Sequence, residues 1–281
     1  MWKLALLLVF GMSLIPSGDA AGKLLQARGV EAPFIAWARF VVGMLAVLPF
    51  LPRGEARHFR DWRLWVRAAL IAGGILSILT ALSGAPLADA FAGLFVGPIV
   101  SVVLSAIFLR EEVTPLRWLL VIAGFAGVLM VVRPSGEMNP YLLFALMAGT
   151  FYGGFLTASR WLAGVARPLT LLASQLLGAA VLTLPFGLWF WPDFTWEIAA
   201  LLAVSGLCSA GGNLTLVIAY RQASAAQVAP FVYFQLLAAT ALGYAVFGDV
   251  PVPLSWAGMV LIAAAGILSA RLPATRGANG A

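Results

Sequence analysis

Charge is scarce in this chain: only 10% of its 281 residues are Asp, Glu, Lys or Arg, against about 25% in a soluble domain. Hydrophobic residues make up 62%, and the mean hydropathy is +1.00. A single water-soluble core cannot bury so much apolar side chain, so lipid must solvate much of it. His58 is the only histidine, which excludes a histidine-rich metal site, and no cofactor is expected. Cys208 is the only cysteine, which excludes an intramolecular disulfide. No Walker A pattern occurs, so ATP is not used by this chain. There is no His-Glu-x-x-His and no pair of acids in adjacent apolar runs, which argues against an intramembrane enzyme. The net charge of +6 does not point to nucleic acid, because the basic residues sit in short segments between apolar runs, as membrane topology requires.

The apolar runs themselves are long. A spanning helix needs roughly 20 mostly apolar residues, and ten such runs are read at about 2–25, 32–51, 64–83, 86–109, 114–132, 140–160, 168–190, 196–219, 225–247 and 253–271. They are continuous rather than alternating, which excludes transmembrane strands. Pro52, Pro134 and Pro192 fall at the ends of runs, and Thr114-Pro115 opens one in the order preferred for a helix start. With the N-terminus cytoplasmic, inside segments hold 13 Lys and Arg and outside loops hold Lys23, Arg28 and Arg133; Arg39 lies inside a helix. This bias places both termini in the cytoplasm. A cleaved signal peptide is the competing reading of the first run, and it would leave nine helices. The short basic loops and the lack of a eukaryotic targeting extension point to a bacterial inner membrane.

The two halves align at an offset of about 136 to 138 residues. Leu48-Pro49-Phe50 matches Leu184-Pro185-Phe186, Gly73-Gly74 matches Gly211-Gly212, and Pro115-Leu116-Arg117-Trp118 matches Pro253-Leu254-Ser255-Trp256. Arg39 corresponds to Gln175, Lys23 to Arg160, Pro33 to Pro168, and Glu111 to Asp249. Five helices per half is an odd number, so the second half enters the membrane from the opposite side. The expected fold is therefore an all-α integral membrane protein of ten transmembrane helices in a 5+5 inverted-topology repeat, with halves 1–136 and 137–281. That is the architecture of many secondary transporters, with the substrate site near the midplane between the halves.

The segment Phe108-Leu109-Arg110-Glu111-Glu112-Val113-Thr114-Pro115-Leu116-Arg117-Trp118, followed by Gly124 and Gly127, resembles the join between helices four and five of the drug/metabolite transporter superfamily, in its EamA-type members. Phe247-Gly248-Asp249 through Trp256, Gly258 and Gly266 is similar to the second-copy version, and Ala36-Trp37-Ala38-Arg39-Phe40 resembles a feature of helix two. The resemblance implies a ten-helix alternating-access carrier for amino acids, nucleosides, vitamins or other metabolites. It also implies a central cavity between helices 1–4 and 6–9, with helices 5 and 10 at the periphery. Many members carry a Trp-Gly pair in the first helix, where this chain has Gly11 to Asp19. Its Asp19…Lys23 feature looks like the vitamin or S-adenosylmethionine uptake branches, so export is not favoured over import.

Several polar residues stand in the apolar runs. Asp19 is expected about 25 Å along the first helix from Trp2, at 1.5 Å per residue. It reads either as an interfacial partner of Lys23, which follows at i+4, or as a proton-coupling or substrate-ammonium site. Arg39 needs a partner at its depth: a substrate carboxylate, Asp19 or helix-end carbonyls. Ser77, Thr80, Tyr152, Asn213, Tyr233 and Gln235 can bond between helices or face a substrate. Trp37, Phe95, Tyr152 and Tyr233 can line a cavity for a flat substrate or serve as packing and interface anchors. Pro16, Pro98 and Pro230 fall inside expected helices and are hinge candidates. Glu111 and Asp249 read as charges favoured at the starts of the fifth and tenth helices. The glycine pairs permit close helix approach. The function that fits is a secondary transporter, monomeric or homodimeric, with a small-molecule substrate and proton or ion coupling. A channel or partner-dependent membrane scaffold is the alternative.

Overall fold

The computed structural model describes residues 2–51, 54–82, 93–132, 140–242, 244–245 and 253–272. Its helices are α1 (Trp2–Ala27), α2 (Ala32–Val47), α3 (Trp62–Leu82), α4 (Gly97–Phe108), α5 (Pro115–Val132), α6 (Tyr141–Trp161), α7 (Pro168–Leu182), α8 (Leu184–Trp189), α9 (Trp196–Gln222), α10 (Ala225–Val232), α11 (Phe234–Leu242) and α12 (Pro253–Arg271). Short 3₁₀ turns lie at Leu48–Phe50 and Glu55–Arg60, and no strand occurs among the described residues. Among the described residues, six helical stretches are long and apolar enough to cross a membrane: Trp2–Ala27, Ala32–Phe50, Tyr141–Trp161, Trp196–Gln222, Ala225–Leu242 and Pro253–Arg271. Gly97–Phe108, Pro115–Val131 and Pro168–Leu182 are shorter apolar helices. Part of the run expected at 86–109, and Asp249, lie outside the described residues.

The structure departs from uninterrupted runs in two places. The run expected at 168–190 is two helices, α7 and α8, with Pro185 in the first turn of the second. The run expected at 225–247 divides at Tyr233, just after Pro230 inside α10. Proline has no N–H to give the carbonyl four residues back, and its ring crowds that carbonyl, which accounts for the break just before Pro185; α10 runs on through Pro230 and ends at Val232. Pro98 is not in a helix interior: it stands in the first turn of α4, where the backbone N–H groups have no helical partner anyway. Pro16 does lie inside α1, which runs through it unbroken.

Helix pairing is governed by small residues. α1 runs along α9, and α3 along α6. In the first pair Gly211 and Gly212 receive Leu14 and Ile15, and in the second Gly73 and Gly74 receive Phe151. The other packings also come in corresponding sets: α2 on α9 with α7 on α3, and α1 on α10 and α11 with α6 on α4. α5 packs on α12, α2 on α7, and α4 on α10. At the α5–α12 crossing, a methyl group at Gly258 would lie 2.6 Å from the Gly127 carbonyl oxygen and 2.9 Å from Met130. Neither backbone nor neighbour can yield there. Gly258→Val is therefore expected to cost on the order of 1–3 kcal/mol, read as a lower thermal midpoint of the purified protein. Gly164→Ala, with open space around it, should leave that midpoint unchanged.

The outer surface is apolar. Leu6, Phe10, Ile107, Leu119, Leu143 and Val260 are all exposed, as lipid solvation requires. Tryptophans mark both ends of the helices. Trp2, Trp62 and Trp161 stand at one end, with the rings of Trp62 and Trp161 6.4 Å apart. Trp189, Trp191, Trp196 and Trp256 are exposed at helix ends toward the other. Such belts suit the amphipathic indole at membrane–water boundaries. Just before α3, Asp61 accepts the Arg63 backbone N–H at 3.0 Å and its guanidinium at 2.6 Å. The Arg63 side chain holds the Asp61 carboxyl below its ordinary value.

Candidate functional site

Polar side chains on the inner faces of these helices form three linked groups. The first joins α1 and α2. Arg39 Nη1 donates to Asp19 Oδ1 at 2.7 Å, with side-chain exposures of 19% and 49%. Of the partners the sequence offered Asp19, Arg39 is therefore at ion-pair distance. Lys23 is exposed one turn further along α1. The backbone around Asp19 is fixed by Ser205 of α9, whose hydroxyl donates to the Gly18 carbonyl at 2.8 Å. A second α2 residue, Trp37, sits in an aromatic group with Phe34 and Trp191, at centroid distances of 5.6 and 6.2 Å.

The second group joins α6 and α11. Gln235 Nε2 donates to Tyr152 Oη at 3.3 Å and to the Val232 carbonyl at 3.1 Å. The division between α10 and α11 leaves that carbonyl available. Tyr152 stacks on Phe155 with rings 16° from parallel, and its ring leaves no room for a side chain at Gly97. Tyr233 and Phe95 are both buried and meet edge to face at 6.2 Å. Tyr233 also lies against Gly124 of α5.

The third group centres on Arg67, which the sequence presents only as one more topology-setting cation. Arg67 is 1% exposed. Its guanidinium donates to Ser159 Oγ at 2.8 Å, to the Leu171 carbonyl at 2.9 Å and to Gln175 Oε1 at 2.8 Å. It lies 4.8 Å over the Phe155 ring. Gln175 passes the chain on, donating to Asn213 Oδ1 at 3.2 Å, while Asn213 donates to the Ser209 carbonyl. Three helices, α3, α6 and α7, thus meet on one cation, and Gln175 extends the chain to α9. Periodicity carried the signal: Leu64, Arg67, Ala68, Ile71 and Ala72 are all buried on α3, and they recur at helical spacing. Ser77 is also buried, but on the other side of α3, whereas Thr80 is exposed and donates to the Leu76 carbonyl.

A fourth polar contact lies nearer the helix ends. Glu111 pairs with Arg160 at 2.6 Å and accepts the Ala225 N–H at 3.0 Å. Glu111 was expected to serve the start of its own following helix, α5. Its carboxylate also reaches the start of α10.

Two stretches of the chain, residues 3–133 and 139–271, match the EamA-like transporter family. A riboflavin transporter of Brucella anthropi is 28% identical over 255 residues, covering 85% of this chain and 88% of its own length. An S-adenosylmethionine uptake transporter of Rickettsia bellii is 26% identical, covering 90% of this chain and 89% of its own. A pseudopaline exporter of Pseudomonas aeruginosa is 28% identical, with 86% and 87% covered. A solved crystal structure, 20% identical, superposes with a TM-score of 0.81 over 96% of this chain and 99% of its own, a likeness of fold. With family models matched along nearly its whole length, and with six stretches able to span a bilayer, this chain is a multi-pass membrane protein of the EamA-like transporter family.

Proposed function

We propose that the chain is a secondary carrier that takes a small metabolite across the cytoplasmic membrane by alternating access. Ten helices form two halves, 1–136 and 137–281, inserted in opposite senses with both termini in the cytoplasm. The reciprocal packing supports this reading. The main pairings of a helix from one half with a helix from the other recur with the halves exchanged, as α1–α9 with α6–α3 and α2–α9 with α7–α3, or map onto themselves, as α5–α12, α2–α7 and α4–α10 do. The observation that carries the functional reading is the set of polar groups that these helices bring together: Asp19–Arg39, Tyr152–Gln235 and Arg67–Gln175–Asn213. Polar and charged groups are costly inside a membrane protein, and they persist where they meet a substrate or ion path.

Two relatives bear the names of uptake or transport proteins for riboflavin and S-adenosylmethionine, so a vitamin or nucleotide-like compound with a flat ring is the first class to test. Tyr152 and Gln235 would offer it a ring face and an amide. Purified protein in proteoliposomes loaded with unlabelled riboflavin or S-adenosylmethionine should drive saturable uptake of the labelled compound. Flux that rises linearly with concentration, without counterflow, would instead indicate a channel.

A further inference from the structure

Resting on the carrier reading above, we propose that Glu111 is a positioning residue that latches shut the end of the molecule bearing Trp2 and Arg271. The contact crosses the repeat. Glu111 lies in the link between α4 and α5, and is 8% exposed between two exposed neighbours, Arg110 and Glu112. Its Oε1 receives Arg160 Nε, at the end of α6, at 2.6 Å. Its Oε2 receives the N–H of Ala225, the first residue of α10, at 3.0 Å. Arg160 uses Nη1 to reach the Tyr220 carbonyl in the last turn of α9 at 2.8 Å. One carboxylate from the first half therefore holds three elements of the second. The bonds are charge-assisted, and α10 presents the positive end of its dipole to the anion.

The end closed by this contact is fixed by its surroundings. Leu4 of α1 and Ala270 of α12 share a buried cluster with Tyr220, Ala223 and Ala225, and Ser269 donates to the Gln227 carbonyl. The closed arrangement is also held against resistance. Arg110 has φ of 52°, a left-handed backbone that disfavours a residue with Cβ, and this turn returns the Glu111 N–H to the Ser105 carbonyl at 3.3 Å. Near the latch, Ser105 Oγ and Gln227 Nε2 are buried with no hydrogen-bond partner among the described residues. Opening would relax Arg110 and admit water to both orphaned groups, so the ion pair holds a state that has something to gain by opening. The wild-type balance of the two states is then set by Glu111, which touches none of the central polar groups.

The test uses a reporter cysteine at Ser105, which is fully buried, in full-length protein carrying Cys208→Ser. Glu111→Gln keeps the size and removes the charge. The rate of maleimide labelling at position 105 is expected to rise at least about tenfold, as for a buried pair broken on one side, while Glu111→Asp should stay near wild type. Ala225→Pro is the second variant. It deletes the N–H given to Glu111 at a helix position that tolerates proline, and it should raise labelling by a smaller factor. Helix content and monodispersity are measured for each, and Ala225→Pro decides the matter if Glu111→Gln does not fold. Labelling at the wild-type rate in the folded variants would overturn the latch. Accelerated labelling in protein that shows no counterflow would uphold the latch and remove the carrier reading instead.

Discussion

Arg39→Ala should lower counterflow by at least about 100-fold while leaving the protein folded. The two parts of that expectation have different physical origins. Asp19 is half exposed and Arg39 one-fifth exposed, so solvent screens their attraction, and the pair adds only about 1 kcal/mol to folding. Transport requires more of it. A carrier must present a charged group to its substrate or to a proton in one state and cover it in the other. An Asp19 carboxylate stripped of its partner would have to be carried through the covered state alone. Truncating one member of a desolvated charge pair costs about 2–5 kcal/mol, and 2.7 kcal/mol is a factor of about 100. Asp19→Asn separates two roles. If Asp19 carries the coupling proton, the variant transports with a flat profile from about pH 5 to pH 8. An unchanged pH dependence in that variant would assign Asp19 to binding or structure only.

Arg67→Leu carries the largest expected loss of stability. Three hydrogen bonds of 2.8–2.9 Å and a ring contact converge on one buried guanidinium. Removing it leaves Gln175 Oε1 without its donor in the core, while the Leu171 carbonyl keeps the Ser174 hydroxyl. Loss of one partner from such a network costs about 3–5 kcal/mol. In a chain of this size that is roughly a 6–15 °C drop in the thermal midpoint. Arg67→Lys keeps the charge but brings a single ammonium to acceptors spread over three residues, so it should recover only part of the loss. A midpoint within about 1 °C of wild type for Arg67→Leu would mean that these helices hold together without the cation.

How far the sequence could be read depended on the range of the interaction. The apolar runs and the prolines that end them are local features, and every described run carries a helix. The glycine pairs also behaved as local composition implied, because a missing side chain admits a neighbour wherever that neighbour comes from. Partner choice was not legible. Asp19 had Lys23 one turn away and Arg39 on another helix, and only three-dimensional packing puts Arg39 at 2.7 Å. Arg67 was hidden because a count of loop cations takes no account of helical phase. The second partner of Glu111 was hidden for a related reason: a carboxylate just before Thr114-Pro115 looks like the start of its own helix, and nothing in the sequence says that the first N–H of α10 also meets it. Tyr233 and Phe95 were read as cavity or packing residues, and the structure buries them edge to face against one another.

The central claim is that the halves are inserted in opposite senses, and equivalent turns of the two halves test it most directly. Arg28, in the turn after α1, and Gly164, in the turn after α6, are both exposed and stand 136 residues apart, the repeat offset. Single cysteines at these positions, in protein carrying Cys208→Ser, are treated in intact cells with a membrane-impermeant maleimide. Position 28 should label at once and position 164 only after the membrane is permeabilised. Labelling of both from the same face would contradict the inverted arrangement, and with it the carrier mechanism.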